Sequence, residues 1–155
     1  MKMTNFSNFD SHGDLYYGGG VARFSFGLLV VSSPNSVDDH SSWDPARENV
    51  HAGKDSVHVP VRQSASGLVA VACVEEPAIP KGLALVHRGV IQLARSSIVL
   101  YDPNGQLRLE LPVERDLNAI SVYGDDPAEP AEVVVVLGVP RQHRPVAASW
   151  GPGNN

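Results

Sequence analysis

The chain has 155 residues, 43% of them apolar, with a formal charge of −5 and one cysteine, Cys73. That length supports a single domain with its own hydrophobic core and no need of cross-links. The acidic balance and the lack of a basic run exclude a primary nucleic-acid binder, because phosphate neutralisation needs clustered Lys and Arg, and a lone thiol excludes an internal disulfide.

Residues 1–20 read as a flexible or irregular arm, polar with scattered aromatics, closed by the break Gly18-Gly19-Gly20. No apolar stretch precedes a small-residue cleavage site, and the first apolar run is too short to span a bilayer. Cytoplasmic residence without membrane insertion is therefore expected.

A strand domain is expected over residues 21–139. Its first strand is VARFSFGLLVV, in which Phe24, Phe26, Leu28 and Val30 share one apolar face at period two. Residues 32–54 follow as the longest segment without strand character, rich in Ser, Asp, Asn and Pro. Within it Asp44 suits an N-cap, Pro45 a first helical position and Gly53 a terminator, so one short helical turn is expected. A loop of this length in a small domain is usually functional or mobile.

Val57, Val59 and Val61 then alternate with Ser56, His58 and Pro60. Proline cannot donate to a ladder, so this strand is expected at an edge or with a bulge. Residues 68–74 are apolar on both faces, as are 133–136, which suits central strands. Between them come GLALVHRGVIQLA, with His87 expected on a wet face, and SSIVLYD, which meets the hairpin signal Asp102-Pro103-Asn104-Gly105. Leu107, Leu109, Leu111 and Val113 alternate with Arg108, Glu110 and Pro112. Ile120 and Val122 alternate with Ser121 and Tyr123. Residues 140–155 return to Pro, Arg, His and Gly and read as a flexible tail. About eight strands at short spacing imply an all-β, two-sheet antiparallel sandwich.

Tests for chemistry come back empty. His40, His51 and His58 lie near Asp38, Asp39 and Asp44, but their spacing forms no tight ligand pair, so solvated histidines are the expectation. Gly53-Lys54-Asp55 lacks the remaining positions of a phosphate loop. Ser64-Ala65-Ser66-Gly67 lacks those of a nucleophile elbow. Glu75 and Glu76 are strand neighbours and point to opposite faces. Cys73, inside LVAVACV, reads as a core residue. No catalytic residue, metal site or cofactor is assigned, and the chain is read as a non-enzyme.

Two acidic clusters remain: Asp38-Asp39 with Asp44 and Glu48, and Asp125-Asp126 with Glu129 and Glu132. Solvated loops are the plain explanation. The sharper one is that they steer a basic protein partner. Trp43 beside the first cluster is either a plug under the loop or an interface anchor. The expected partner-binding residues are Asp39, Trp43, Asp44 and Glu48, with Asp125, Asp126 and Glu129 second.

The text WDPARENVHAGKDSVHVPV followed by GLVAVACV resembles the competence protein J-like family. The later runs are also similar: a strand ending at Gly89, then IQLARSSIVLYD, LRLELPV and LNAISVYG. Leu111-Pro112 is present, but Val113-Glu114-Arg115-Asp116 replaces the turn glycine common in that family. The resemblance covers residues 24–137 and implies a sandwich fold and, as its family function, inhibition of a bacterial DNA-entry nuclease. The leading expectation is accordingly an inhibitor or immunity-type protein that blocks a basic toxin or nuclease, as a monomer or as a dimer through the edge near Pro60. The alternative is a small-molecule or carbohydrate-binding sandwich, and the third reading is a metal-dependent enzyme.

Overall fold

The computed structural model describes residues 16–36, 38, 50–78 and 80–140. They build ten strands: β1 (Tyr16–Ala22), β2 (Leu28–Ser32), β3 (His51–Ala52), β4 (Ser56–Pro60), β5 (Val69–Glu75), β6 (Ala84–Gln92), β7 (Ser97–Tyr101), β8 (Arg108–Pro112), β9 (Leu117–Gly124) and β10 (Glu132–Gly138). Two five-stranded sheets result, ordered β1-β5-β10-β9-β6 and β3-β4-β2-β7-β8. Neighbours are antiparallel except β5 and β10, which run parallel. The all-β sandwich expected from the sequence is the observed architecture. Its strands number ten because β1 and the two-residue β3 form in segments read as arm and loop.

Alternation along the strands builds the core. Leu29 and Val31 of β2, Val57 and Val59 of β4, and Ile98 and Leu100 of β7 join one buried cluster with residues of the other sheet. Those are Val71 and Cys73 of β5, Ile120 and Val122 of β9, and Val133, Val135 and Leu137 of β10. Each large aliphatic removed from water contributes about 1.5–3 kcal/mol. The thiol of Cys73 is fully buried, and burial followed by the nearby Glu75 charge pushes its pKa up.

Strands β5 and β10 are central and buried on both faces, as their continuous apolar runs require. The connection from β5 to β6 starts where Glu75 pairs with Leu137 and ends where Ala84 pairs with Gly124. It therefore crosses the outer face of the sheet from end to end. Its Ala78 and Leu83 pack there with Val74, Val134, Val136 and Tyr123.

Four local expectations are corrected. The glycine triplet is strand interior, with Gly18 paired to Cys73 and Gly20 to Val71. A Cβ at Gly18 or Gly20 would stand 2.8 Å from Leu111 or Leu107, so glycine lets the two sheets close along this side. The run VARFSFGLLVV is two strands, not one: a turn closes with Gly27 N donating to Phe24 O at 2.9 Å, and Gly27 takes φ +61°. The phase changes across that turn. Phe24 is fully buried while Phe26 is 63% exposed. Strand β4 is next to last in its sheet, flanked by β3 over two residue pairs. His87 lies on the core side of β6, in register with inward-facing Val122, and burial lowers its pKa.

Candidate protein interface

Strand polarity sorts the connections onto two ends. The β1–β2, β4–β5, β7–β8 and β9–β10 connections share one, termed the upper end. The β3–β4, β6–β7 and β8–β9 connections share the lower end, from which the long segment after β2 also departs. The seven residues of β10 set the ends about 20 Å apart at ~3.3 Å per residue.

At the upper end the connections are joined by hydrogen bonds. Val61 N donates to Gly27 O at 2.9 Å, Ser64 N to Phe24 O at 3.1 Å and Arg62 N to Pro130 O at 3.0 Å. Asn104 Nδ2 donates to Ser25 Oγ at 3.1 Å. The β7–β8 turn is braced by the buried Asp102, which accepts from Asn104 N and Gln106 N at 3.0 and 3.1 Å.

The expected residues Asp125, Asp126 and Glu129 are brought together and exposed in the β9–β10 loop. Two of them also hold the loop's shape. Asp125 Oδ1 accepts from Ala131 N at 2.8 Å and from Glu132 N at 3.1 Å. Asp126 Oδ1 accepts from Glu129 N at 3.0 Å and Ala128 N at 2.8 Å, and these two N–H donors hold its carboxyl below the usual range. Buried Pro130 packs on Gly124, where a Cβ would lie 2.8 Å away. Glu132, grouped with these acids by sequence, is buried.

Asp39, Trp43, Asp44 and Glu48, with the helical turn expected at Asp44, lie outside the described residues. Their neighbour Asp38 is described, at the lower end. Its Oδ2 accepts from Asp55 N at 2.8 Å and from Ser56 Oγ at 3.0 Å. Partial burial opposes ionisation, but the Asp55 amide and the Ser56 hydroxyl outweigh it and hold the carboxyl below the usual range. The carboxylate rests over Gly53, where a Cβ would meet it at 2.3 Å. Asp38 thus pins the long segment to the β3–β4 turn. Asp38 and Asp125, the described members of the two acidic clusters, sit at opposite ends.

A second side-chain cluster shares the lower end. Glu75 accepts from the Tyr17 hydroxyl and pairs with Arg115, Nη1 to Oε2 at 2.9 Å. Arg115 Nε donates to Asn118 Oδ1 at 3.2 Å, and Asn118 Nδ2 returns a bond to Arg115 O at 2.9 Å. Burial and then the adjacent Glu75 push the Tyr17 phenol up. Partial burial would raise Glu75, but the Tyr17 hydroxyl and the Arg115 guanidinium outweigh it and lower its pKa.

For the other readings the geometry offers less. His51 and His58 are cross-strand partners, His40 lies outside the described residues, and no three ligating side chains converge among the described residues. A polar cavity of about 200 Å³ lined by Ser32, Ser33, Ser36, Tyr101 and Arg108 is smaller than the ~300–1,000 Å³ usual for ligand pockets. No helix among the described residues is long and apolar enough to cross a membrane.

Sequence reasoning missed Phe26. The available signal was Gly27 directly after it, a turn residue inside an otherwise strand-like run.

The fold and its loops thus define an all-β sandwich with braced connections at both ends. No family profile and no curated protein matches the chain. Among solved structures it is similar to the crystal structure of ComJ, inhibitor of the DNA degrading activity of NucA, from Bacillus subtilis. The TM-score is 0.64 at 7% identity, over 81% of this chain and 97% of that one. The fold relationship suggested by the sequence resemblance is therefore present, and that neighbour is an inhibitor of a DNA-degrading activity.

Proposed function

We propose that this chain is a protein-binding inhibitor of immunity type that blocks a basic nuclease or other toxin by occupying the surface its substrate needs. The observation that carries the reading is the β9–β10 loop: three exposed acids on a loop held in place by its backbone amides donating to the Asp125 and Asp126 carboxylates. A charged loop fixed before encounter speeds association and loses little entropy on docking. The fold shared with a nuclease inhibitor supports the same reading. Asp39, Trp43, Asp44 and Glu48 remain part of the proposal as a second contact region.

The test begins with affinity capture from the native host, mass spectrometry of what co-purifies and separate production of the captured protein. Titrating the purified chain into that protein's DNA-degrading or toxic activity should abolish it near one equivalent. A captured protein whose activity persists at a hundredfold excess of this chain would overturn the inhibitor reading.

A further inference from the structure

We infer that the partner docks on the upper end of the sandwich, with Phe26 as its apolar anchor. This inference rests on the inhibitor reading and specifies the docking face.

Phe26 occupies the third position of the turn closed by Gly27 N and Phe24 O, so its ring stands at the tip of the β1–β2 connection. At 63% it is the most exposed large apolar side chain among the described residues. Its base is fixed: Val61 and Ser64 bond to the turn's backbone, and Asn104 holds Ser25 beside it. A ring displayed on a fixed turn gains nothing for folding and loses little entropy on insertion into a pocket. Aromatic anchors of that kind dominate protein interfaces. Leu68, 43% exposed, lies at the same end on the β4–β5 connection.

The charges at this end indicate the partner. Arg62 links the connection beneath Phe26 to the acidic loop through its backbone bond to Pro130. Arg23 is exposed and donates Nη1 to Ser64 O at 2.7 Å, and the three acids Asp125, Asp126 and Glu129 are exposed at the same end. An exposed apolar anchor on the same end as three exposed acids fits a folded basic protein with an apolar pocket rimmed by Lys or Arg.

The test uses the full chain and the separately produced captured protein. Phe26→Ser should keep the wild-type melting temperature and raise Kd about 30-fold or more, the range of a lost hot spot. Leu68→Ser should raise it less. Glu129→Lys should slow association several-fold at low salt, with the difference vanishing at high salt. Val139→Ser, at the opposite end, should leave binding unchanged. Wild-type binding with Phe26→Ser within twofold of it would overturn the docking face and leave the inhibitor reading standing. Capture of a protein that the chain binds without inhibiting would remove the inhibitor reading while the Phe26 effect still located the interface. Sedimentation showing a wild-type dimer that Phe26→Ser dissolves would assign the face to a second copy and overturn the hetero-partner.

Discussion

At the upper end of the sandwich the connections are joined largely backbone to backbone, as in Val61 to Gly27 and Arg62 to Pro130. At the lower end backbone bonds such as Gln92 N to Lys54 O, Leu93 N to Asp116 O and Val113 N to Ser96 O are supplemented by partly buried side chains: Asp38 to Asp55 and Ser56, Glu75 to Tyr17 and Arg115, Arg115 to Asn118. The contrast separates charges that hold structure from charges that are free to meet a partner. At the upper end the Glu129 side chain can change without loosening its loop, whereas Asp125 and Asp126 brace it. At the lower end Asp38, Glu75 and Arg115 are part of the fastening. Asp38 and Glu129 look alike in sequence, as members of acidic clusters, yet they belong to opposite classes.

The largest expected effect is therefore at the lower end. Arg115→Ala removes the ion pair to a half-buried Glu75 and the bond to fully buried Asn118. The loss expected in urea unfolding is about 2 kcal/mol, typical of a charged hydrogen bond broken at a partly buried site. Arg108→Ala is the control. Its pair with Glu110 is 3.4 Å long, with both side chains at least half exposed, and should change stability by less than about 0.5 kcal/mol. Equal effects for the two arginines would remove the contrast.

Asp38→Asn comes next, at about 1 kcal/mol, because two donors would face a weaker acceptor. The pH dependence follows with a definite sign. The folded-state pKa values of Asp38 and Glu75 are both lowered, so their stabilisation is complete above the unfolded values and disappears as pH falls through the folded ones. Wild-type stability should therefore drop below about pH 4. The double substitution Asp38→Asn with Glu75→Gln should flatten that slope, as read from denaturant midpoints between pH 5 and pH 3.

How much of this was legible depends on the range of the signal. Period-two alternation located β4, β8 and β9, continuous apolar runs located β5 and β10, and a hairpin signal closed β7, because each of these is a local property of a strand. The turn Asp102-Pro103-Asn104-Gly105 was equally local. What failed needed either a partner distant in sequence or recognition of a turn inside a strand-like run. Gly18 and Gly20 read as a break until Leu111 and Leu107 of the other sheet are seen lying against them. Phe26 read as core until the turn at Gly27 reversed its direction. The acidic loop at Asp125 was found by composition, but whether its carboxylates face solvent or brace the backbone is decided by geometry six or seven residues away.

The smallest expected effect divides the upper end's own acids. Asp126 is fully exposed, yet its carboxylate caps two amides of its loop, while Glu129 donates its backbone to that cap and exposes its side chain. Asp126→Ala should lower the melting temperature slightly, by less than Asp38→Asn does, and Glu129→Gln should not change it at all. Against the captured protein both should slow association, because each removes one exposed negative charge. Only Asp126→Ala should add a faster dissociation, since its loop is no longer held before encounter. Stopped-flow association and dissociation rates separate the two. Identical dissociation rates would mean that the Asp126 cap does not pre-form the loop, and that backbone joints such as Arg62 to Pro130 suffice to hold it.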